Sequence, residues 1–371
     1  MSNKRSSRDH SINRRRLIKG VAGAAAGASA LSAALAQAST ADPGFYINLN
    51  QDAGEVVTYA WYQPWLTEVA PIFEEETGIK VTDHGAYSTN SEWWARLNAG
   101  EAFDFFIPTT DWMQRAMRSD LLHEIDAGLI PNIGNLFADY QDKETYQQDG
   151  KAFAVPFSQL LFCLTYNTNE FPEAPTSWEV TWDEQYTGKI TMEGSSQGRV
   201  GTTALLLGDD PLNPTKWDEI RDKLLEQKEL VLKYWTDYQN GMEMFVSEEV
   251  LVGELSDGRA RMGREAGGPI AWTVPKEGCL TFVDTFAIPK TAKNPENAHR
   301  FIDFLLRPDI TARQMVMMNY YTVNEAALAE LDPETVQQYS APEGANLVVS
   351  EDIDPQVRAR MDELWTEVEL S

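Results

Sequence analysis

The chain has 371 residues, of which 43% are hydrophobic, and its formal net charge is −26. A length of this order favours two domains, each large enough to bury its own core. The negative charge argues against nucleic acids and anionic membrane surfaces as partners, because both would repel the chain. The same charge is compatible with solubility in a saline habitat or with the attraction of cations.

Residues 1–38 carry the pattern of an export signal. The stretch "NRRRLIKGVAGAAAGASALSAALAQA" combines a basic start, an apolar run of small residues and a closing Ala-Gln-Ala. The arginines at positions 14–16 resemble the twin-arginine variant of such signals, which is an address and not an anchor. Lys19 interrupts the run, which disfavours a membrane span. We therefore predict a periplasmic protein, with residues 39–55 as a loose leader.

From residue 56 onward, predicted strands and helices alternate. "VVTYAW" and "IKVTDHGAY" predict strands on either side of the helix "LTEVAPIFEEETG", and the helix "SEWWARLNAG" follows. "FDFFIPT" predicts a buried strand that leads into the helix "DWMQRAMRSDLL". This alternation predicts a parallel, doubly wound sheet. Ligands of such sheets bind beyond the carboxyl ends of the strands, where Trp61, Tyr87 and Thr109 fall.

A second α/β unit is predicted after "FAVPFSQLLFCLTYN". It includes "EGSSQGRVGTTALLLG" and a long polar helix over residues 215–235, "TKWDEIRDKLLEQKELVLKYW". The chain then runs through "EGCLTFVDTFAIP" into the helical pattern "NPENAHRFIDFLL". No Gly/Ser linker separates the two units, so we expect extended strands to join them. Residues 331–371 are acidic and are predicted to be helical.

The sequence offers little for catalysis or metal binding. No nucleophile motif, phosphate loop or metal-ligand spacing is present, and we expect neither a metal nor a cofactor. Cys163 and Cys279 are the only cysteines, and their apolar surroundings are compatible with a disulfide or with two buried thiols. A binding protein explains these features with fewer parts than a secreted hydrolase that uses paired carboxylates.

Several stretches, taken in order, resemble the spermidine/putrescine-binding family of type II periplasmic solute-binding proteins. They are "YAWYQPW…FEEETGIKV", "FDFFIPTTDW", "SWEVTWDEQYTGKI", "GGPIAWTVPKEG", "VDTFAIPKTAKNPENAHRFIDFLLRPD" and "NYYTVN". The resemblance implies two α/β lobes joined by hinge strands and a ligand that is handed to the permease of an ABC importer. It places the first lobe at 56–165, the second at 166–278 and the return to the first at 279–330, followed by the C-terminal segment 331–371.

The family's site combines aromatic rings with carboxylates, because an ammonium group is held both by charge and by ring faces. The resemblance carries over Asp284 as the carboxylate that receives an amine, and Trp61 and Tyr320 as aromatic walls. Five further residues are assigned to the same site from their positions near these motifs: Tyr62, Tyr87, Thr109, Trp112 and Phe282. Asp111 stands where the family has an aromatic residue.

The second lobe departs from the family pattern. Glu193 remains, but Ser195 and Ser196 occupy places that are acidic in polyamine binders. A Gly-Ser-Ser turn that opens a helix presents amides and hydroxyls to an anion, and Arg259 adds positive charge. Alternatively, the serines cap their helix and the arginines pair with the chain's own acids. The expected ligand is therefore a polyamine-like amine or, alternatively, a zwitterionic amine, betaine or aminophosphonate.

Overall fold

The computed structural model describes residues 54–61, 64–141, 144–339 and 344–371. The predicted export signal, the leader up to residue 53 and Tyr62 lie outside this part of the chain. The first elements are strand β1 (Glu55–Trp61), helix α1 (Pro64–Thr77), strand β2 (Lys80–Tyr87), and helices α2 (Asn90–Asn98) and α3 (Thr110–Arg118). Strands β1 and β2 pair in parallel, as their alternation with α1 predicts.

The predicted strand over residues 103–109 forms isolated bridges. Phe105 pairs with Thr58 of β1, Phe106 pairs with Ala287, and Thr109 pairs with Asp284. Short 3-10 helices follow at Ala127–Leu129, Pro131–Asn135, Ala138–Tyr140 and Glu144–Tyr146, and a small hairpin is formed by β3 (Gln147–Gln148) and β4 (Lys151–Ala152). The bridges formed by Phe105, Phe106 and Thr109 connect strand β1 to residues 284–287, far along the chain.

The longest strand, β5 (Ala154–Asn167), is buried along its whole length and joins two parts of the sheet. Its first half pairs antiparallel with β10 (Cys279–Ala287), and its second half pairs with β8 (Val252–Ser256) and β9 (Ile270–Thr273). The register between β5 and β10 shifts between Asp284 and Thr285, which oppose Ser158 and Pro156. Phe157 is the extra residue of this bulge, and Pro156 has no amide to donate to the ladder.

The second sheet region contains β6 (Ile190–Glu193), β7 (Val231–Trp235) and β8, which pair in parallel. Its helices are α4 (Ser196–Leu206), α5 (Trp217–Lys228), α6 (Tyr238–Val246) and α7 (Asp257–Glu265), with 3-10 helices at Trp178–Trp182 and Glu184–Tyr186. The long helix predicted over 215–235 is wrong, because α5 ends at Lys228 and the chain continues as β7. Residues Val231–Trp235 pair in parallel with β6, so this segment belongs to the sheet.

The chain then returns through α8 (Pro295–Leu305), α9 (Pro308–Met318), β11 (Tyr321–Thr322), α10 (Glu325–Leu328) and α11 (Pro333–Tyr339). The C-terminal part forms β12 (Leu347–Val349) beside β10, and then helix α12 (Pro355–Leu370). Met361, Leu364 and Trp365 of α12 are buried against α4 and α5. Asp352, between β12 and α12, forms ion pairs with Arg118 of α3 and with Arg358 of α12.

Buried side chains segregate into clusters on the two sides of this arrangement. One cluster contains Phe73, Phe105, Phe286 and Phe301, while others surround Trp178 and Trp235 of the second sheet region. Both cysteines are buried free thiols. Among the described residues, no helix is both long and apolar enough to cross a bilayer.

Candidate functional site

Asp284 is a buried carboxyl with few donors around it. It lies in β10 at the register shift and is only 4% exposed. The Ser158 hydroxyl donates to its Oδ2 over 3.3 Å. Burial raises the pKa of Asp284 from 3.8 to about 7, and the negative charge of Asp111 adds to this increase. A carboxylate in this setting gains more from an added cation than one exposed to water.

Asp111 is the second buried acid of the site. The bridge between Thr109 and Asp284 brings the start of α3 next to β10, and Asp111 lies in the first turn of that helix. The Thr109 hydroxyl donates to Asp111 Oδ1 over 2.6 Å and itself accepts from Asn90 Nδ2 over 3.0 Å. Burial raises the pKa of Asp111 in spite of these bonds and of the nearby Arg115 and Arg358. The site thus contains two acids that repel one another.

Trp61 and Tyr87 form an aromatic pair at the carboxyl ends of β1 and β2. Their ring centroids are 4.7 Å apart, and Trp61 is half-buried while Tyr87 is buried. The Tyr87 hydroxyl donates to the Ile107 carbonyl over 2.6 Å and accepts from the Ile107 amide over 3.1 Å. The Trp61 indole N–H is buried and has no hydrogen-bond partner among the described residues. Tyr87 is therefore a fixed support, whereas Trp61 keeps an accessible part.

Three ionisable side chains on different elements are partly accessible to solvent although protein atoms surround them. Tyr238 is 39% exposed, and Tyr320 and Glu193 are partly exposed. Nevertheless, burial among protein atoms raises the pKa of each of the three. Accessible groups that are still surrounded by protein are typical of a concave cleft. The charge of Asp284 acts on both tyrosines and raises the pKa of each, so we assign Tyr238 and Tyr320 to the same candidate cleft as Asp284.

The turn before α4 is occupied by contacts within the chain. The Ser195 amide and hydroxyl both donate to Glu193 Oε2, over 2.9 and 2.6 Å, and the Ser195 hydroxyl accepts from the Gly198 amide over 3.1 Å. The Ser196 hydroxyl donates to Asp362 Oδ1 of α12 over 2.5 Å. Ser195 thus caps helix α4, and Ser196 connects α4 to α12. Both serines follow the alternative stated above, in which they stabilise the fold.

Arg259 faces the same cleft from the first turn of α7. Its guanidinium lies 5.9 Å from the centre of the Tyr238 ring, and its charge opposes the increase in the pKa of both Tyr238 and Tyr320. The Tyr320 ring packs over Gly258, the residue before Arg259, and a Cβ at Gly258 would lie 2.5 Å from Tyr320 Cε1. The two tyrosines are thus under the influence of both a carboxylate, Asp284, and a guanidinium, Arg259.

The remaining predicted residues, Phe282, Trp112 and Thr109, lie at the edge of the candidate site. Phe282 is half-buried, with its ring centroid 5.1 Å from that of Phe162. Trp112 is half-buried beneath the Arg115 guanidinium, which lies 4.4 Å from the centre of its ring. Thr109 acts on the site through its bond to Asp111.

Two cleft residues were missed by the sequence analysis. Tyr238 follows the carboxyl end of β7, where a parallel strand presents side chains to a ligand, but assigning residues 231–235 to a helix concealed this signal. Ser158 is the hydroxyl donor to Asp284 across the β5–β10 ladder. No sequence signal identifies Ser158, because its contact depends on a pairing 126 residues apart.

Comparison with known proteins agrees with this architecture. Residues 68–343 match the family model of bacterial extracellular solute-binding proteins. The chain is 29% identical over 290 residues to spermidine/putrescine-binding periplasmic protein 1 of Haemophilus influenzae, with 76% of this chain and 79% of the relative covered. It is 27% identical over 365 residues to the putrescine/cadaverine-binding protein of Pseudomonas aeruginosa, with 92% and 97% covered.

A solved structure gives the same fold. The spermidine/putrescine ABC transporter substrate-binding protein from Streptococcus pneumoniae superimposes with a TM-score of 0.78 at 23% identity, covering 85% of this chain and 99% of that one. The predicted two-lobed α/β periplasmic-binding-protein fold is confirmed, as is the resemblance to the polyamine-binding relatives. The chain therefore belongs to the family of bacterial extracellular solute-binding proteins, whose members are non-catalytic.

Proposed function

We propose that this protein captures a small amine-bearing solute in the periplasm and delivers it to the permease of an ABC importer. The lobe limits 56–165, 166–278 and 279–330, and export by the twin-arginine route, are parts of the same proposal. One observation carries it: Asp284 and Asp111 are neighbouring buried acids, and each accepts a side-chain hydrogen bond from a hydroxyl group.

An ammonium group is the partner that such a pair lacks. Burial disfavours the charged form of each acid and their mutual repulsion adds to this cost, so a cation between them relieves both effects. An ammonium also donates several hydrogen bonds, which the free carboxylate oxygens accept. The Trp61 ring and the Tyr320 ring offer faces on which the attached methylene groups and the charge can rest.

The names of the relatives support an amine. Putrescine, cadaverine and spermidine, named for the matched proteins, each end in a primary ammonium group. A polyamine would place its far amine near Glu193, whose charge acts on Tyr238 and which is the remaining acid of the predicted set. A zwitterionic amine would instead place an anionic group near the Arg259 guanidinium, which lies over the Tyr238 ring.

A binding screen tests the proposal. The exported protein is titrated at pH 8 by calorimetry with diamines, with amino acids whose amine and carboxylate are separated by a chain, and with diols of matching length. We expect saturable binding of compounds that carry a primary ammonium and none of the diols, because a hydroxyl brings no charge to Asp284. Binding of diols or sugars in preference to every amine would contradict the proposal.

A further inference from the structure

Arg259 is a cleft cation without an acidic partner. Its Nε is buried and donates no hydrogen bond, because no acceptor among the described residues lies within hydrogen-bond distance. The contact of its Nη1 is with Met262 Sδ at 3.7 Å, and a thioether is a weak acceptor. No described carboxylate lies within ion-pair distance of this guanidinium, although the chain has 57 acidic residues.

The other two arginines of α7 differ from Arg259. Arg261 is buried and paired with Asp257 at 3.2 Å, and it lies 4.7 Å from the centre of the Tyr321 ring. Arg264 is exposed and lies 4.7 Å from the centre of the Trp272 ring. Arg261 is thus neutralised within the fold and Arg264 is exposed to solvent, whereas Arg259 is partly buried with no described carboxylate at ion-pair distance.

The position of Arg259 relates it to the amine site. Tyr320 packs on Gly258 beside Arg259, and it precedes Tyr321, which pairs with Gln159 next to Ser158, the donor to Asp284. Tyr238 lies beneath the guanidinium from the opposite element, α6. The charges of Asp284 and Arg259 both act on the two tyrosines, so a ligand that lies along these rings meets a negative group and a positive group.

Glu193 does not cancel this polarity. Its Oε2 already accepts two bonds from Ser195, and its charge faces the buried Arg199 of α4. A second ammonium at this end of the cleft would have to share Glu193 with these donors while lying near an unpaired guanidinium. Repulsion between two cations in a partly buried space makes this arrangement unfavourable.

We propose that the solute is a zwitterion whose ammonium binds at Asp284 and whose carboxylate binds at Arg259. This inference rests on the amine-binding function proposed above and names the class of amine. A guanidinium suits the second group because its planar fork of N–H donors matches a carboxylate with two parallel hydrogen bonds. The Tyr238 and Tyr320 rings line the space between the two ends and select a chain that separates the two charges.

The test compares ligands that differ only in the far group. Putrescine is paired with 4-aminobutyrate and cadaverine with 5-aminopentanoate, and each is titrated into the wild type, Arg259→Gln and Arg264→Gln by calorimetry. Arg264→Gln is the matched control, because it removes the same charge from the same helix outside the cleft. We expect the wild type to prefer the amino acid of at least one pair and Arg259→Gln to weaken that ligand by roughly 10- to 100-fold.

The diamines provide the opposite readout. Their affinity should stay unchanged or rise in Arg259→Gln, because a repelling charge has been removed, and Arg264→Gln should leave both classes unaltered. Arg259→Lys should retain part of the amino-acid affinity and shows whether a loss in Arg259→Gln reflects charge or folding. Circular dichroism of all variants confirms that they are folded.

Two results would overturn the inference. In one, the wild type prefers the diamine of every pair. In the other, Arg259→Gln weakens the diamine and the amino acid equally. In either case the amine-binding function still stands if Asp284→Asn weakens whichever amine binds, whereas that function fails if neither class binds at all.

Discussion

Replacing Asp284 with asparagine keeps the size and shape of the side chain but removes its charge. An ammonium ligand would lose a charge-assisted hydrogen bond, which is worth about 1.5 to 3 kcal/mol, or roughly a 10- to 150-fold loss of affinity. The unliganded protein should respond in the opposite direction. Burial raises the pKa of Asp284 from 3.8 to about 7, so at pH 8 the folded state holds an ionised group that the protein interior disfavours.

The sign of the stability effect follows from proton binding. Between pH 3.8 and about 7 the folded state holds a proton on Asp284 that the unfolded state has released, so this group lowers the stability progressively as the pH rises through that range. The full cost above pH 7 is at most about 4 kcal/mol, because one pKa unit corresponds to about 1.4 kcal/mol. Asp284→Asn should therefore stabilise the unliganded protein at pH 8 by about 1 to 4 kcal/mol, and by less at pH 5.

Two measurements on the same samples check this prediction. Urea unfolding without ligand at pH 5 and pH 8 gives the stability change, and calorimetric titration at pH 8 gives the dissociation constant. Asp139→Asn, at an exposed carboxylate, controls for the loss of one negative charge and should alter neither quantity. A variant that is less stable than the wild type at pH 8 and binds the ligand normally would refute the assignment of Asp284 to the site.

Four further predictions concern Trp61, the pH dependence of binding, the buried ion pair of Arg199 and Glu254, and closure of the lobes. Trp61→Ala should reduce affinity roughly thirtyfold and Trp61→Phe should reduce it less, because a cation on a desolvated indole gains about 2 kcal/mol. If calorimetry showed unchanged binding while stability was lost, Trp61 would be a core residue and not part of the binding site. Ligand affinity should fall as the pH drops below about 7, since Asp284 must be ionised to hold an ammonium, and titrations from pH 5 to 8 measure this. Glu254→Gln should destabilise the fold by about 3 to 5 kcal/mol in urea, because it removes the ion-pair partner of the fully buried Arg199. Small-angle scattering should show a smaller radius of gyration when ligand saturates the cleft, and an unchanged radius would argue against lobe closure.

The sequence identified those site residues that local pattern and family order define. Trp61 and Tyr87 end parallel strands, and they lie together in the structure for that reason. Asp284 was assigned through the resemblance, and its burial beside Asp111 depends on a bridge between distant segments that no local pattern contains. The bulge at Phe157, which sets the register opposite Asp284, was likewise beyond sequence reasoning.

The second lobe was harder to predict for a different reason. The five residues Val231–Trp235 closely follow a polar helix, and a segment this short does not distinguish strand periodicity from helix periodicity. These residues were therefore assigned to the helix, and Tyr238 was overlooked. Hydrogen-bond competition was also not visible: Ser195 had the chemistry of an anion-binding turn, but Glu193 takes its amide and hydroxyl. Arg259 shows the reverse case, because no acid of the described residues forms an ion pair with it although the chain is rich in acids.

A crystal structure of the protein with a saturating amine would show whether Asp284 receives the ligand. We predict that the ligand nitrogen lies about 3 Å from a carboxylate oxygen of Asp284, within the usual hydrogen-bond range, with the ligand chain against Trp61 and Tyr320. An amine bound elsewhere, with Asp284 still bonded only to Ser158, would contradict it.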